Sequence, residues 1–109
     1  MRLRKETEIL QEDEILLVAQ VSDALAHPVR IKIYQFIMQC NKDRTPVCNK
    51  DIVAAFDYSQ ATISQHIKKL VEADLVQLKK VEKCSMYYAN IGMLSRYLSA
   101  TRKFSTFQA

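Results

Sequence analysis

The chain has 109 residues, 49% of them hydrophobic and 26% charged, a composition that suits one small globular domain (residues 1–109) and excludes a disordered tail. Its 16 Lys and Arg against 12 Asp and Glu give a net charge of +4 and a pI near 9.0, a modest basic balance that fits a polyanionic partner without requiring one. The longest apolar runs, Ile15 to Ala19 and Ile52 to Phe56, are far shorter than the roughly 20 residues that span a bilayer, and three cysteines without CxxC spacing indicate neither a disulfide framework nor a zinc ribbon.

The charge is uneven. Glu6, Glu8, Glu12, Asp13 and Glu14 crowd the start around Arg2, Arg4 and Lys5, so residues 15–109 carry 13 bases and seven acids, a net +6. The basic start is followed by glutamates rather than a continuous apolar run, so it does not read as a signal peptide, and the expected location is the cytoplasm with no membrane partner. A chain this short leaves apolar surface uncovered unless it associates, so helices lacking a partner within the protomer point to a dimer.

In chain order, Leu17, Val18, Val21, Ala24 and Leu25 recur at helical spacing from about Glu12 to Ala26, predicting an amphipathic first helix. Pro28 opens a second helix, in whose first turn its missing N–H costs nothing. It runs to about Gln39, with Val29, Ile33, Phe36 and Ile37 on one face, and the polar stretch Asn41 to Pro46 reads as a loop. A short third helix holds Ile52, Val53 and Phe56, capped by Asn49 or a neighbour, and Asp57-Tyr58-Ser59 breaks it.

Ser59 is the expected N-cap of a fourth helix reaching about Ala73, whose inner positions are Ile63, Ile67, Leu70 and Val71. The opposite face carries Ala61, Thr62, Gln65, Lys68 and Lys69, and the helix's only acid, Glu72, falls in its last turn. Leu75 to Val81 and Ser85 to Asn90 read as two strands around a polar tip of Glu82, Lys83 and Cys84. A last helix runs from Ile91 to about Phe104, with Ile91, Leu94, Leu98 and Thr101 on one side and Tyr97 beside them.

The predicted class is therefore mainly α with a small β-hairpin (α+β), in the order α1-α2-α3-α4-β-β-α5. Two helices joined by a three-residue break, the second showing small polar and basic residues outward, form a helix-turn-helix, and the hairpin after it supplies a wing. In that geometry the start of the fourth helix enters the major groove of double-stranded DNA. The amides of Gln60 and Gln65 can pair with adenine there, and Thr62 can meet base edges, with Ala61 and Ser64 on the same helix. Lys68 and Lys69 suit phosphates, as do Lys79, Lys80 and Lys83 on the hairpin, while Ser59 can combine capping with a phosphate contact. His66, at the flank of the apolar stripe, suits a hydrogen bond to phosphate or to its own protein rather than metal ligation.

Ala24-Leu25-Ala26-His27-Pro28-Val29-Arg30-Ile31-Lys32-Ile33 resembles the helix-opening ALADPTRLRI of ArsR/SmtB-type regulators. Ser59 to Leu70, reading SQATISQHIKKL, is similar to that family's recognition helix SQSTVSHHLKVL, Ala73-Asp74-Leu75-Val76 to its AGLV, and Glu82 to Tyr88 to its wing EGRWVYY. The resemblance covers roughly residues 15 to 100. It implies a homodimer with the first and last helices at the interface, for which Leu16, Leu17, Val21, Leu94, Tyr97, Leu98 and Thr101 are the candidates, and repression by operator binding with release on sensing an effector.

The departures concern backbone and ligands. Asp74 stands where the family has Gly, a substitution that tolerance of the left-handed region allows. Lys83 stands at the usual wing Gly, and His27 replaces the common Asp. Many relatives hold thiophilic metals through Cys-Val-Cys on the third helix, whereas this chain has Cys48-Asn49-Lys50. Relatives with zinc on the last helix use Asp and His, and residues 91–109 contain neither. No cofactor is predicted. Cys40 and Cys48 bracket a short loop and are the candidates for a thiol switch or, with a further ligand, a soft-metal site, although the usual ligand motifs are missing.

Two histidines, no Ser-His-Asp spacing and no glycine-rich phosphate loop leave nothing from which to build an active site, so no enzyme is expected. The competing reading is a winged-helix module whose polar face recognises protein. Operator, regulated genes and effector are not legible.

Overall fold

The computed structural model describes residues 9–107, so the charged cluster Arg2, Arg4, Lys5, Glu6 and Glu8 lies outside the described residues. The elements are α1 (Glu12–Ala24), α2 (Pro28–Lys42), α3 (Asn49–Ala55), α4 (Gln60–Glu72), β1 (Val76–Val81), β2 (Cys84–Ala89) and α5 (Ile91–Arg102), followed by a 3-10 helix (Lys103–Phe107). This is a mostly helical winged helix-turn-helix, with the expected order of elements.

The core is assembled from the apolar stripe of each helix. Ile33, Tyr34 and Ile37 of α2 meet Ile63, Ile67 and Leu70 of α4, with Val21, Val47, Ile52, Leu75, Val76 and Tyr87 completing the cluster. Each fully buried aliphatic contributes roughly 1.5–3 kcal/mol by leaving water. Val21 is 1% exposed and belongs to this core, which corrects its assignment to a dimer interface: its side chain is already spent inside the protomer. α1 packs along α5, where Ser22 Oγ and the Tyr97 hydroxyl lie 2.9 Å apart and Lys103 pairs with Glu14 at 2.8 Å.

Helix ends are closed by backbone bonds that a chain with one glycine must make without it. At the end of α4, Asp74 adopts φ 61°, its N–H reaches Val71 O at 2.9 Å, and Leu75 N–H reaches Leu70 O at 3.0 Å. That is a Schellman closure, with Leu70 and Leu75 as its buried apolar pair. α2 ends the same way: Arg44 sits at φ 58°, with Arg44 N–H on Asn41 O at 3.1 Å and Thr45 N–H on Cys40 O at 2.8 Å. The helix therefore continues to Lys42 rather than stopping near Gln39. Polar Asn41 had suggested a loop, but its side chain is engaged elsewhere. Its Oδ1 accepts from Ala89 N–H at 2.8 Å and its Nδ2 donates to Tyr87 O at 3.3 Å, clamping β2 to the end of α2.

The hairpin pairs Val76 with Ala89 through to Val81 with Cys84. Its base is anchored by Tyr87 N–H to Val47 O at 3.0 Å and Asn90 N–H to Leu75 O at 2.8 Å, and Cys48 bridges Met86. At the tip the left-handed residue is Glu82, φ 58°, not Lys83, so the turn places its strained position one residue earlier than the family's Gly suggests. Cys48 is the N-cap of α3: its backbone N–H and its thiol both donate to Asp51 Oδ2, at 2.9 and 3.1 Å.

Two outcomes follow. Asn41→Leu strips Ala89 N–H and Tyr87 O of their partner and should cost about 1–3 kcal/mol, read as a lowered urea midpoint; an unchanged midpoint would remove the clamp from the account. The two bonds from Cys48 hold the Asp51 carboxyl below its usual value, so its contribution is present above the unfolded value of about 4 and is lost as pH falls through the lowered folded value. The advantage of wild type over Asp51→Asn in urea midpoint should therefore be largest near neutrality and shrink below about pH 4; a constant advantage across that range would show that the charge is not involved.

Candidate nucleic-acid interface

α4 has no acidic residue in its first turn, which leaves the positive end of its dipole uncompensated and favourable to anions. Ser59 caps it, accepting Thr62 N–H at 3.2 Å and donating to Thr62 Oγ1 at 3.0 Å. The Ser59 hydroxyl that was a candidate for phosphate is thus engaged by Thr62, and the Thr62 hydroxyl is turned toward the cap. With Ile63, Ile67 and Leu70 buried, Gln60, Ala61, Ser64, Gln65, Lys68 and Lys69 are all exposed, so the structure brings them together on the solvent side of one helix. Asn49 Nδ2 of α3 donates to Ser64 Oγ at 3.2 Å, tying the two helices of the helix-turn-helix on their outer side.

His66 does not join that row. It is half-buried, its ring centroid 5.8 Å from that of His27 and tilted 49°, so it faces the start of α2. Burial first, and then the positive charges of Arg30 and His27, hold its imidazole below the ordinary histidine value. Sequence reasoning missed Arg30, a charged residue inside a helix pattern, which is only 8% exposed.

On the hairpin, Lys79, Lys80 and Lys83 are exposed. Successive strand residues point to opposite faces, and Lys80 stands opposite Ser85 while Lys79 stands opposite Met86. The two strand lysines therefore leave opposite faces of the wing, with Lys83 at the tip beside both. On the far side of the molecule, Ile15 and Leu16 of α1, Leu98 of α5, and Phe104 and Phe107 of the 3-10 helix are 46–56% exposed. Leu17, Leu94, Tyr97 and Thr101 are half-buried, the first three packed against the core.

The thiols are free. Burial first, then the negative charges of Asp51 and Asp43, push the Cys40 thiol up, which disfavours the reactive thiolate. Cys48 is buried and spends its S–H on Asp51, while Cys84 is exposed. Among the described residues no group of three His, Cys, Asp or Glu is placed to hold a metal ion, and no helix is long and apolar enough to cross a membrane.

A family model described as a helix-turn-helix domain matches residues 25–78. The chain is 30% identical over 73 residues, 67% of its length, to the arsenical resistance operon repressor of Staphylococcus xylosus, and the match spans 65% of that protein's length. An ArsR-like transcriptional regulator from Rhodococcus sp. RHA1 superposes with a TM-score of 0.73 at 20% identity, covering 84% of this chain and 82% of that one. A homodimeric winged helix-turn-helix DNA-binding domain from Mycobacterium bovis gives 0.66 at 17% identity, covering 100% and 94%. Together with the helix order, the matched helix-turn-helix and the wing, these likenesses show a winged helix-turn-helix fold shared with ArsR-like regulators and a sequence similarity to an arsenical resistance operon repressor.

Proposed function

We propose that this chain is a dimeric, sequence-specific binder of double-stranded DNA that represses transcription in the cytoplasm and is released by an effector. The observation that carries the reading is the solvent face of α4, which runs from Gln60 to Lys69 without an acid and is followed in sequence by a hairpin bearing three exposed lysines. Such a face offers amide and hydroxyl groups for base edges and ammonium groups for phosphates. Gln60, Ala61, Ser64 and Gln65 are assigned to the groove, and Lys68, Lys69, Lys79, Lys80 and Lys83 to the backbone. Thr62 offers its methyl, its hydroxyl being engaged with Ser59.

The second copy is assigned to the α1 and α5 side, where Leu16 and Leu98 would bury their exposed surface. The homodimeric Mycobacterium bovis domain supports a second copy, and the repressor similarity supports the direction of regulation. For the effector, Cys40 and Cys48 remain the thiol candidates; burial and then the charges of Asp51 and Asp43 push the Cys40 thiol up, and the Cys48 S–H donates to Asp51, which favours a sensing step that first disturbs that carboxylate.

Selection from random duplexes should enrich an inverted repeat with half-sites about one helical turn apart; no enrichment at low salt would favour a protein-binding module instead. Gln65→Ala should relax sequence preference, whereas Lys68→Ala or Lys80→Ala should weaken binding to every sequence and flatten the salt slope by about 1 per lost contact. Equal and salt-independent effects from the two sets would overturn the division of roles. Leu98→Glu should shift the mass in analytical ultracentrifugation from dimer to monomer and weaken binding to the full repeat more than to a half-site. A dimer unaffected by both Leu98→Glu and Leu16→Glu would place the interface elsewhere.

A further inference from the structure

We propose that the start of α2 is a binding site for a phosphate group, formed by Arg30 and His27 of α2's first turn and cap and by His66 of α4. The inference begins with a buried charge. Arg30 is 8% exposed, its Nε and Nη1 are buried without a hydrogen-bond partner, and among the described residues no carboxylate pairs with it. A guanidinium taken out of water without a counter-charge is costly, so an apolar side chain would be the cheaper occupant unless an anion completes the arrangement.

The start of α2 offers donors and no acid. His27 is the N-cap of α2 with no side-chain capping bond, and Pro28 occupies the first turn. The first intrahelical bond is made by Ile31 N–H to His27 O, so the amides of Val29 and Arg30 precede the ladder at the positive end of a 15-residue helix. Helical side chains lean toward the N-terminus, which carries the Arg30 fork back toward that end. There His66 stands within 5.8 Å of His27, ring to ring, and feels the Arg30 charge. The amides of Val29 and Arg30 lie on the same first turn, so donors gather at this end of α2. That suits an oxyanion with several oxygens in different directions, as a phosphate has. His27 and Pro28 are exposed, so the approach is from solvent, beside the flank of α4.

Two sources share this chemistry: a backbone phosphodiester of bound DNA, or free inorganic phosphate and small phosphate esters. The first source rests on the DNA-binding reading; the second does not. The test follows the imidazole resonances of His27 and His66 by NMR in the full chain, titrated with inorganic phosphate against chloride at matched ionic strength and pH, and then with the selected duplex. Saturable shifts with phosphate, lost in Arg30→Met, assign free phosphate. No shift with phosphate, but shifts of the same imidazoles with duplex, assign the backbone. In that case His27→Gln and Arg30→Lys should each weaken duplex binding, and Arg30→Met, which removes the charge, should flatten the salt slope by about 1.

If neither probe moves the imidazoles, or His27→Gln and Arg30→Lys bind phosphate and duplex as wild type does, the proposal is overturned. His27 is exposed, so its variant keeps the test alive should Arg30→Met fail to fold. Phosphate shifts without any duplex binding would leave this site standing and remove the DNA reading. Duplex binding that depends on Lys68 and Lys80 while His27 and His66 stay silent would do the reverse.

Discussion

Burial of Ile63, Ile67 and Leu70 along one side of α4 decides what the rest of the molecule presents to its surroundings. A helix of 13 residues is too short to be stable alone in water, so α4 exists because that stripe is held by α2 and by Leu75. Once the stripe is fixed inward, geometry leaves no freedom about the opposite side: Gln60, Ala61, Ser64, Gln65 and Lys68 must face solvent together. The polar row is thus a by-product of packing, and its rotational setting is as precise as the core beneath it.

The backbone that surrounds α4 is set with unusual economy. With one glycine in 109 residues, the chain uses Arg44, Asp74 and Glu82 in the left-handed region, at a cost in conformational energy that the two Schellman closures and the hairpin register repay through bonded carbonyls. These positions fix where α2 ends, where α4 gives way to β1, and where the wing turns back.

Much of this was legible from periodicity. The stripe of α4, the proline at the start of α2 and the two strands around a polar tip follow from local residue type and spacing, which survive folding unchanged. Bonds between segments far apart in sequence were not legible. Asn41 looks like loop composition until β2 arrives to use both ends of its amide, and that extends α2 to Lys42. His66 lies at the edge of the apolar stripe, where a turn of a few degrees decides between solvent and α2; the approach of His27 settles it. Arg30 is a surface residue by type, and only the packing of α2 against α4 encloses it. The thiols illustrate the same limit, since Cys48 looked like a remnant ligand and is occupied as a capping donor to Asp51.

α2 touches nearly every part of this arrangement. Its first turn carries Arg30, its middle packs on α4, and its last turn grips β2 through Asn41. At about 1.5 Å per residue it is a strut of roughly 22 Å, fastened at both ends and along its length to the elements that would meet DNA. A strut so fastened ties α2, α4 and the hairpin into one head, whose contacts leave little slack to rotate α4 against the wing. Were two copies paired along α1 and α5 as proposed, the compliant coordinate would be the spacing and tilt between two heads, and an effector would act there as a change of gauge rather than of grip.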